Sequence, residues 1–102
     1  MLNDNYADGR DVSWIWDVEF EKISFLQIQD VFISGIRMYD MAVRLKVAGL
    51  NPEKFVLEED YEKLTNSLKN SSSKKIYILA TYTAMINYRK YLHSQGYINK
   101  LW

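Results

Sequence analysis

Residues 31–57 read VFISGIRMYDMAVRLKVAGLNPEKFVL, and this stretch decides the fold. Its apolar start, which ends at Gly35, is typical of a strand buried on both faces of a parallel sheet. Residues 36–48 predict an amphipathic helix. The predicted inward stripe is Ile36, Tyr39, Val43 and Val47, widened by Met38, Ala42 and Leu45. Gly49 suits a left-handed helix C-cap, and residues 54–57 predict a second strand.

The second half of the chain continues the alternation of strands and helices. Residues 61–68 predict a short helix with acids just before it, where the helix dipole favours them, and residues 76–80 predict a third buried strand. Thr81 or Thr83 can cap a last helix that ends at Gly96. The remaining segments are a serine-rich loop over residues 70–73 and a tail over residues 97–102. Because this alternation favours a parallel sheet with right-handed crossovers, we expect an α/β fold, a Rossmann-like three-layer domain with a mainly parallel sheet.

The first thirty residues follow a different pattern. Residues 2–5 look like the end of a strand running into a loop, so we expect a sheet truncated at its N-terminal edge. The chain is then a fragment of a larger subunit, forming a single domain over residues 1–102. Residues 6–11 predict a turn around their Asp-Gly pair. Residues 14–20 fit either a strand, by alternation, or a short helical turn, and periodicity leaves both open.

Composition excludes several classes of protein. With 48% hydrophobic and 25% charged residues, the 102-residue chain fits one globular domain and not a disordered tail. It has no cysteine, which excludes disulfide scaffolds and cysteine-based zinc sites. The apolar runs are only a few residues long, so no membrane span is predicted. The first ten residues lack the apolar region of a signal peptide, which favours a cytoplasmic protein.

Charge is balanced overall but unevenly distributed. Thirteen basic and thirteen acidic residues cancel, which removes the simplest argument for a nucleic-acid partner. Residues 1–21 hold six acids and one base, whereas residues 61–102 hold one acid and seven bases. The acidic head and the basic tail can attract each other within the fold or present separate faces to partners.

Few side chains can carry catalysis or bind a cofactor within this chain. A Ser-His-Asp triad would need the lone histidine, His93, which lies on a polar stretch. None of the four glycines stands in a phosphate-binding pattern, so no nucleotide site is predicted here. Asp4, Asp8 and Asp11 lack the closing glutamate of an EF-hand loop, and we expect no metal there.

The segment DGRDVSWIWD, residues 8–17, is unusual because it concentrates three aspartates and two tryptophans. Loops that carry bulky aromatic side chains beside charges often form binding surfaces. The alternative is a turn whose aspartates cap backbone amides while its tryptophans pack into the core. The residues themselves leave both interpretations open.

The same segment resembles a known family. NDN at residues 3–5, ADGRDxSWIxD at residues 7–17, where x marks a position outside the match, and the Phe20-Glu21 pair resemble the signature of the MurT C-terminal domain family. Further matches are SGIR at residues 34–37, RLK at residues 44–46 and YTAM at residues 82–85. The resemblance covers essentially the whole chain.

The resemblance implies an enzyme complex in which this domain is one part. The family pairs with a GatD-type glutaminase subunit, and together they use ATP and glutamine to amidate the D-glutamate of the lipid II stem peptide. In the family, the second aspartate of the motif, Asp11 here, completes the triad of the glutaminase. Asp8, Arg10 and Trp14 are then expected to shape the loop or to contact the partner. ATP and Mg belong to a central domain that has no counterpart here, so we expect the isolated domain to be inactive.

Two other functions remain open. A non-catalytic protein-interaction module with the same fold would use the acidic loop only for docking. A free-standing Rossmann-like domain would bind a small ligand by itself.

Overall fold

The centre of the fold is one parallel βαβ unit. The residues described by the computed structural model are 1–25, 27–71 and 75–99. Strand β1 (Val31–Ile33) lies parallel to strand β2 (Phe55–Leu57), and helix α1 (Met38–Val47) connects them. The paired residues are Val31 with Phe55, Phe32 with Val56 and Ile33 with Leu57. The two strands and the helix predicted for this stretch are confirmed, and the domain is α/β.

Two further helices follow the βαβ unit. Helix α2 (Tyr61–Lys69) begins after Asp60, whose side chain accepts a hydrogen bond from the Lys63 N–H at 3.0 Å. Helix α3 (Tyr82–Ser94) begins after Thr81. Short 3-10 helices occupy Tyr6–Asp8, Ser13–Trp16, Phe20–Phe25 and Pro52–Lys54. Both predicted helices are confirmed, and the choice left open near the tryptophans falls to a helical turn. The predicted serine-rich loop and C-terminal tail extend outside the described residues.

Helix α1 buries a different face from the one that its sequence predicts. The residues expected to widen the stripe do lie inward, since Met38 and Leu45 are buried and Ala42 is half-buried. The stripe itself is exposed, at 60% for Ile36, 67% for Tyr39, 55% for Val43 and 62% for Val47. That part of the prediction is wrong because this helix has apolar residues on both sides, and its buried side includes the charged Arg44. Periodicity locates a helix but does not choose between two apolar faces.

Residues 76–80 do not form the predicted third strand. Their side chains are exposed, Leu79 to 67%. Residues 1–3 lie beside their end: the Met1 ammonium donates to the Leu79 carbonyl at 2.8 Å, and the Thr81 N–H donates to the Met1 carbonyl at 3.1 Å. A strand needs a hydrogen-bonded neighbour along its whole length, and this contact covers only one end. The described residues therefore hold a two-stranded sheet, and a Rossmann-like three-layer arrangement is not confirmed.

Two hydrophobic clusters form the core, and Phe20 and Met41 pack against both of them. The larger cluster consists of Ile33, Met38, Leu45, Ala48 and Leu50. The smaller cluster consists of Leu2, Val12 and Ile15. Because its members all come from the first fifteen residues, the smaller cluster attaches the N-terminal segment, including the unusual motif, to the βαβ unit.

Gly35 allows the N-terminal segment to cross closely over the connection between β1 and α1. Its φ is +105°, and a Cβ atom there would lie 2.3 Å from the Leu2 carbonyl oxygen. The Leu2 N–H donates to the Ser34 carbonyl, and the Arg37 N–H donates to the Leu2 carbonyl, both at 2.9 Å. This crossing places the segment after Leu2 at the start of α1.

Candidate functional site

Asp11 is an exposed carboxylate on the loop between two 3-10 helices. Its Oδ1 accepts the Ser13 N–H at 2.8 Å, and its Oδ2 accepts the Ser13 hydroxyl at 3.0 Å. These two bonds, backbone first, lower the pKa of Asp11, and the nearby Arg37 charge acts in the same direction. Asp11 is therefore ionised near neutral pH and held in one orientation.

The Asp11 carboxylate retains capacity to accept further hydrogen bonds. An ionised carboxylate offers about four lone-pair positions, and Ser13 takes up two of them. Since the side chain is exposed, the remaining positions are accessible from solvent. A fixed and accessible carboxylate can accept an N–H from a group on another molecule.

Asp8, the other aspartate of the predicted turn, is turned into the domain. It accepts the Thr83 N–H at 2.7 Å, the Thr83 hydroxyl at 2.5 Å and the Asn5 N–H at 3.2 Å. Burial by itself would raise the pKa of Asp8, but these hydrogen bonds outweigh it and lower the pKa. Asp8 thus places a negative charge at the start of α3, where the helix dipole stabilises it.

The Thr83 hydroxyl is the centre of a polar network that sequence reasoning did not find. It donates to Asp8 and accepts from the Asn3 and Asn5 side-chain amides, each at 3.0 Å. These three bonds use the full capacity of a hydroxyl group. Asn3 also accepts the Ile36 N–H at 2.9 Å, so it joins the start of α3 to the start of α1. The NDN motif marks Asn3 and Asn5 in the sequence, but it does not identify Thr83 as the partner that they share.

Arg10 and Trp14, the other two residues proposed for a partner interface, lie on the surface beside Asp11. The Arg10 guanidinium lies 5.0 Å from the centre of the Tyr6 ring, and Tyr6 is 87% exposed. Trp14 is 40% exposed. The residues of this segment that enter the core are Val12 and Ile15, with 7% and 1% exposure. Asp8 and Asp11 therefore accept backbone N–H groups as one interpretation predicted, but the tryptophans do not pack fully into the core.

Arg44, on α1, forms hydrogen bonds with the segment that follows Asp11. No sequence pattern assigned this arginine a role. It donates to the Ile15 and Val18 carbonyls at 2.8 and 2.7 Å. It also forms a bidentate pair with Glu21, with both bonds at 2.8 Å. These bonds from Arg44 lower the pKa of Glu21 to about 2. The RLK match was the only sign that this arginine differs from an ordinary surface residue.

Arg37 links Asp4, in the N-terminal segment, to the start of α1. Its guanidinium donates to Asp4 at 3.1 Å and to Asp40 at 2.7 Å. His93 is exposed on α3. Over residues 1–25, 27–71 and 75–99, no three histidine, aspartate or glutamate side chains are grouped so as to hold a metal ion. None of the helices within these ranges is both long and apolar enough to cross a membrane.

Comparison with known proteins identifies the family. Residues 1–85 match the sequence model of the family described as MurT ligase C-terminal. This chain belongs to that family. The resemblance carried by the motifs from the NDN triplet to YTAM is thereby confirmed.

Two curated relatives are much longer than this chain. The chain is 42% identical over 100 residues to the lipid II isoglutaminyl synthase (glutamine-hydrolyzing) subunit MurT of Streptococcus pneumoniae (strain ATCC BAA-255 / R6). The aligned region covers 98% of this chain and 22% of that relative. It is 45% identical over 64 residues to the subunit of the same name from Staphylococcus aureus (strain COL). That alignment covers 63% of this chain and 14% of the relative. The chain spans less than a quarter of the length of either relative.

Proposed function

We propose that this chain is the C-terminal domain of a MurT-type subunit of a lipid II isoglutaminyl synthase. In this proposal the domain docks a GatD-type glutaminase subunit and supplies Asp11 as the third member of its catalytic triad. The observation that carries the proposal is the state of Asp11, an ionised, exposed carboxylate held by two hydrogen bonds from Ser13. The names of the relatives, which are glutamine-hydrolyzing synthase subunits, support the same reaction.

The chemical role of Asp11 follows from the needs of a glutaminase. A cysteine nucleophile is activated by a histidine that takes its proton. A carboxylate that accepts the other ring N–H of this histidine fixes its tautomer and stabilises the imidazolium that forms. In serine proteases, replacing this carboxylate by an amide lowers kcat by about ten-thousandfold. Donation of Asp11 from a separate subunit would make glutamine hydrolysis depend on assembly of the complex.

ATP and Mg belong to the proposed reaction of the complex but do not fit the residues of this domain. The described residues contain no acidic cluster for a metal, and the sequence has no glycine-rich phosphate loop. We therefore expect the isolated domain to be inactive. The ammonia released from glutamine would be used elsewhere in the complex, to amidate the D-glutamate of lipid II in the cytoplasm.

The test is glutamine hydrolysis by the full-length subunit in complex with its glutaminase. Asp11→Asn keeps the shape of the side chain and removes its charge. We expect this variant to lower kcat by a factor on the order of 10³ to 10⁴ while complex formation is retained. Asp17→Asn, at an exposed aspartate of the same motif, is the matched control and should hydrolyse glutamine normally. Normal turnover by Asp11→Asn would reject the catalytic role.

The second candidate function is docking without catalysis. The observation that favours it is the exposed surface around Asp11, where Arg10 covers the Tyr6 ring and Trp14 is partly exposed. A docking role predicts that Asp11→Asn weakens binding of the glutaminase and leaves kcat of the assembled complex unchanged. A titration of one subunit against the other, read out by glutamine hydrolysis, separates the two outcomes.

A further inference from the structure

Arg44 carries a charge in the buried interior of the domain. Its exposure is 3%, although it belongs to a residue type that is rarely buried unless it is paired. It lies on α1 and faces the N-terminal segment that carries Asp11. The guanidinium forms four hydrogen bonds to that segment and to no other part of the described chain.

The segment from Ile15 to Glu21 closes around the Arg44 guanidinium. Carbonyl oxygens of Ile15 and Val18 and both oxygens of Glu21 accept its protons at 2.7 to 2.8 Å. The Trp16 and Phe20 rings lie 5.2 and 5.4 Å away from it. The segment contains 3-10 turns and no α-helix or β-strand of its own. Its position is therefore set by side-chain contacts, chiefly those of Arg44 and the buried Ile15.

Stability by itself gives no reason for an arginine at this place. Moving a guanidinium out of water is unfavourable, and well-packed apolar residues often stabilise a buried site as well as an ion pair does. An apolar side chain cannot bind two backbone carbonyls and a carboxylate at fixed angles. The planar guanidinium, with donors in a rigid fork, can do this.

A continuous series of contacts leads from Arg44 to Asp11. Arg44 binds the carbonyl of Ile15, which lies in the 3-10 helix Ser13–Trp16. The first residue of that helix, Ser13, binds both carboxylate oxygens of Asp11. A shift of the helix relative to α1 would therefore move the Asp11 carboxylate with it.

We infer that Arg44 is a positioning residue, which fixes the 3-10 helix Ser13–Trp16 against α1 and thereby orients the Asp11 carboxylate toward the glutaminase. This inference rests on the proposed function of Asp11. Misplacement of a catalytic group by about 1 Å can lower a rate by about a hundredfold. Arg44→Lys keeps the positive charge but loses the fork, so we expect it to lower kcat for glutamine between tenfold and a hundredfold. KM for glutamine and the Kd of the complex should stay within about threefold, because the Arg44 side chain is itself buried, with 3% exposure, and presents no surface to another molecule.

The experiment is a double-mutant cycle in the full-length subunit bound to its glutaminase. It compares wild type, Arg44→Lys, Asp11→Asn and the double variant at saturating partner. If Arg44 acts through Asp11, Arg44→Lys lowers kcat in the wild-type background and has little further effect in the Asp11→Asn background. A merely structural arginine would lower kcat by the same factor in both backgrounds, or would weaken assembly instead. Lys90→Arg makes the reverse exchange at an exposed position of α3 and is the control expected to leave kcat unchanged.

The possible outcomes separate this inference from the proposed function. The role of Arg44 is overturned, and that of Asp11 is left intact, if Asp11→Asn lowers kcat strongly but Arg44→Lys does not lower it. The same conclusion follows if Arg44→Lys lowers kcat by an equal factor in the wild-type and Asp11→Asn backgrounds. No loss from Asp11→Asn overturns both. If Arg44→Lys does not fold, Glu21→Gln replaces it in the cycle. This variant weakens the pair between Arg44 and residue 21 and keeps the hydrogen bonds from Arg44 to the backbone carbonyls. The same non-additivity with Asp11→Asn is then expected, and additive losses contradict the inference.

Discussion

The Asp8 carboxylate and Thr83, 75 positions apart in the chain, form two hydrogen bonds of 2.7 and 2.5 Å. Through them the N-terminal loop caps α3, whose own cap residue Thr81 makes no side-chain bond to the helix. The Thr81 hydroxyl instead accepts the Asn3 N–H at 3.0 Å. The start of α3 is therefore built together with the loop that carries Asp11.

Asp8→Ala is expected to destabilise the domain. The substitution removes the cap of α3 and leaves the Thr83 N–H without its acceptor, so the free energy of unfolding should fall by about 1 to 2 kcal/mol. Urea unfolding followed by circular dichroism measures the change. Asp17→Ala, at an exposed aspartate of the same segment, should change it by less than about 0.5 kcal/mol. Equal effects of the two variants would contradict the capping role of Asp8.

The orientation of α1 is tested by one substitution on each face. Leu45→Ala removes a buried side chain and should lower the free energy of unfolding by about 2 to 5 kcal/mol. Val43→Ala lies on the exposed face and should change it by less than about 0.5 kcal/mol. Chemical denaturation of both variants under one set of conditions gives the comparison. If Val43→Ala lowers the free energy of unfolding more than Leu45→Ala does, the face of α1 predicted from the sequence is the buried one.

Gly35 and Gly9 separate backbone conformation from steric contact. Both have positive φ, +105° and +88°, but only at Gly35 would a Cβ meet other atoms, at 2.3 Å from the Leu2 carbonyl oxygen. Gly9→Ala should cost about 1 to 2 kcal/mol from its φ value. Gly35→Ala should cost about 1 to 3 kcal/mol more, because the Leu2 backbone has to move. Thermal melts of the two variants decide this, and identical melting temperatures would show that the crossing at Leu2 is loose.

Acid should weaken the contact between Arg44 and Glu21. Hydrogen bonds from Arg44 lower the pKa of Glu21 from 4.5 to about 2. A carboxyl whose pKa is lower in the folded state stabilises the fold above its unfolded pKa, and this stabilisation is lost as the pH falls through the folded value. The free energy of unfolding should therefore decrease as the pH falls from about 4.5 to about 2.

Glu21→Gln isolates the contribution of this carboxyl to the pH dependence. Its stability should change less across the same pH range than that of the wild type, as measured by urea unfolding at several pH values. Glu19→Gln removes a neighbouring exposed acid and is the control. If the Glu21→Gln and wild-type profiles run parallel, Glu21 is not held by Arg44 in solution.

Sequence patterns located the elements of this fold along the chain better than they predicted which residues of those elements are buried. The period of the apolar residues and Gly49 located α1, but both of its sides are apolar, so the buried face could not be chosen. Residues 76–80 have the composition of a buried strand, yet a strand depends on neighbours that composition does not reveal. Arg44 is buried although a charged residue is normally exposed, and no sequence pattern predicted its burial.

The candidate site was predictable from family resemblance more than from physical pattern. The motif around Asp11 indicated a special loop, and the resemblance singled out this aspartate among three. Its exposure and its two bonds to Ser13 depend on backbone geometry that no spacing encodes. The network of Asn3, Asn5 and Thr83 was hidden for a similar reason, since it joins residues about 80 positions apart.

The most direct test of the central claim is a structure of the full-length subunit bound to its glutaminase. The quantity to measure is the distance between an Asp11 carboxylate oxygen and the nearest ring nitrogen of the catalytic histidine in the glutaminase. The account predicts a hydrogen bond of about 2.6 to 3.2 Å. An Asp11 side chain that points into solvent, with another carboxylate bound to that histidine, would contradict it.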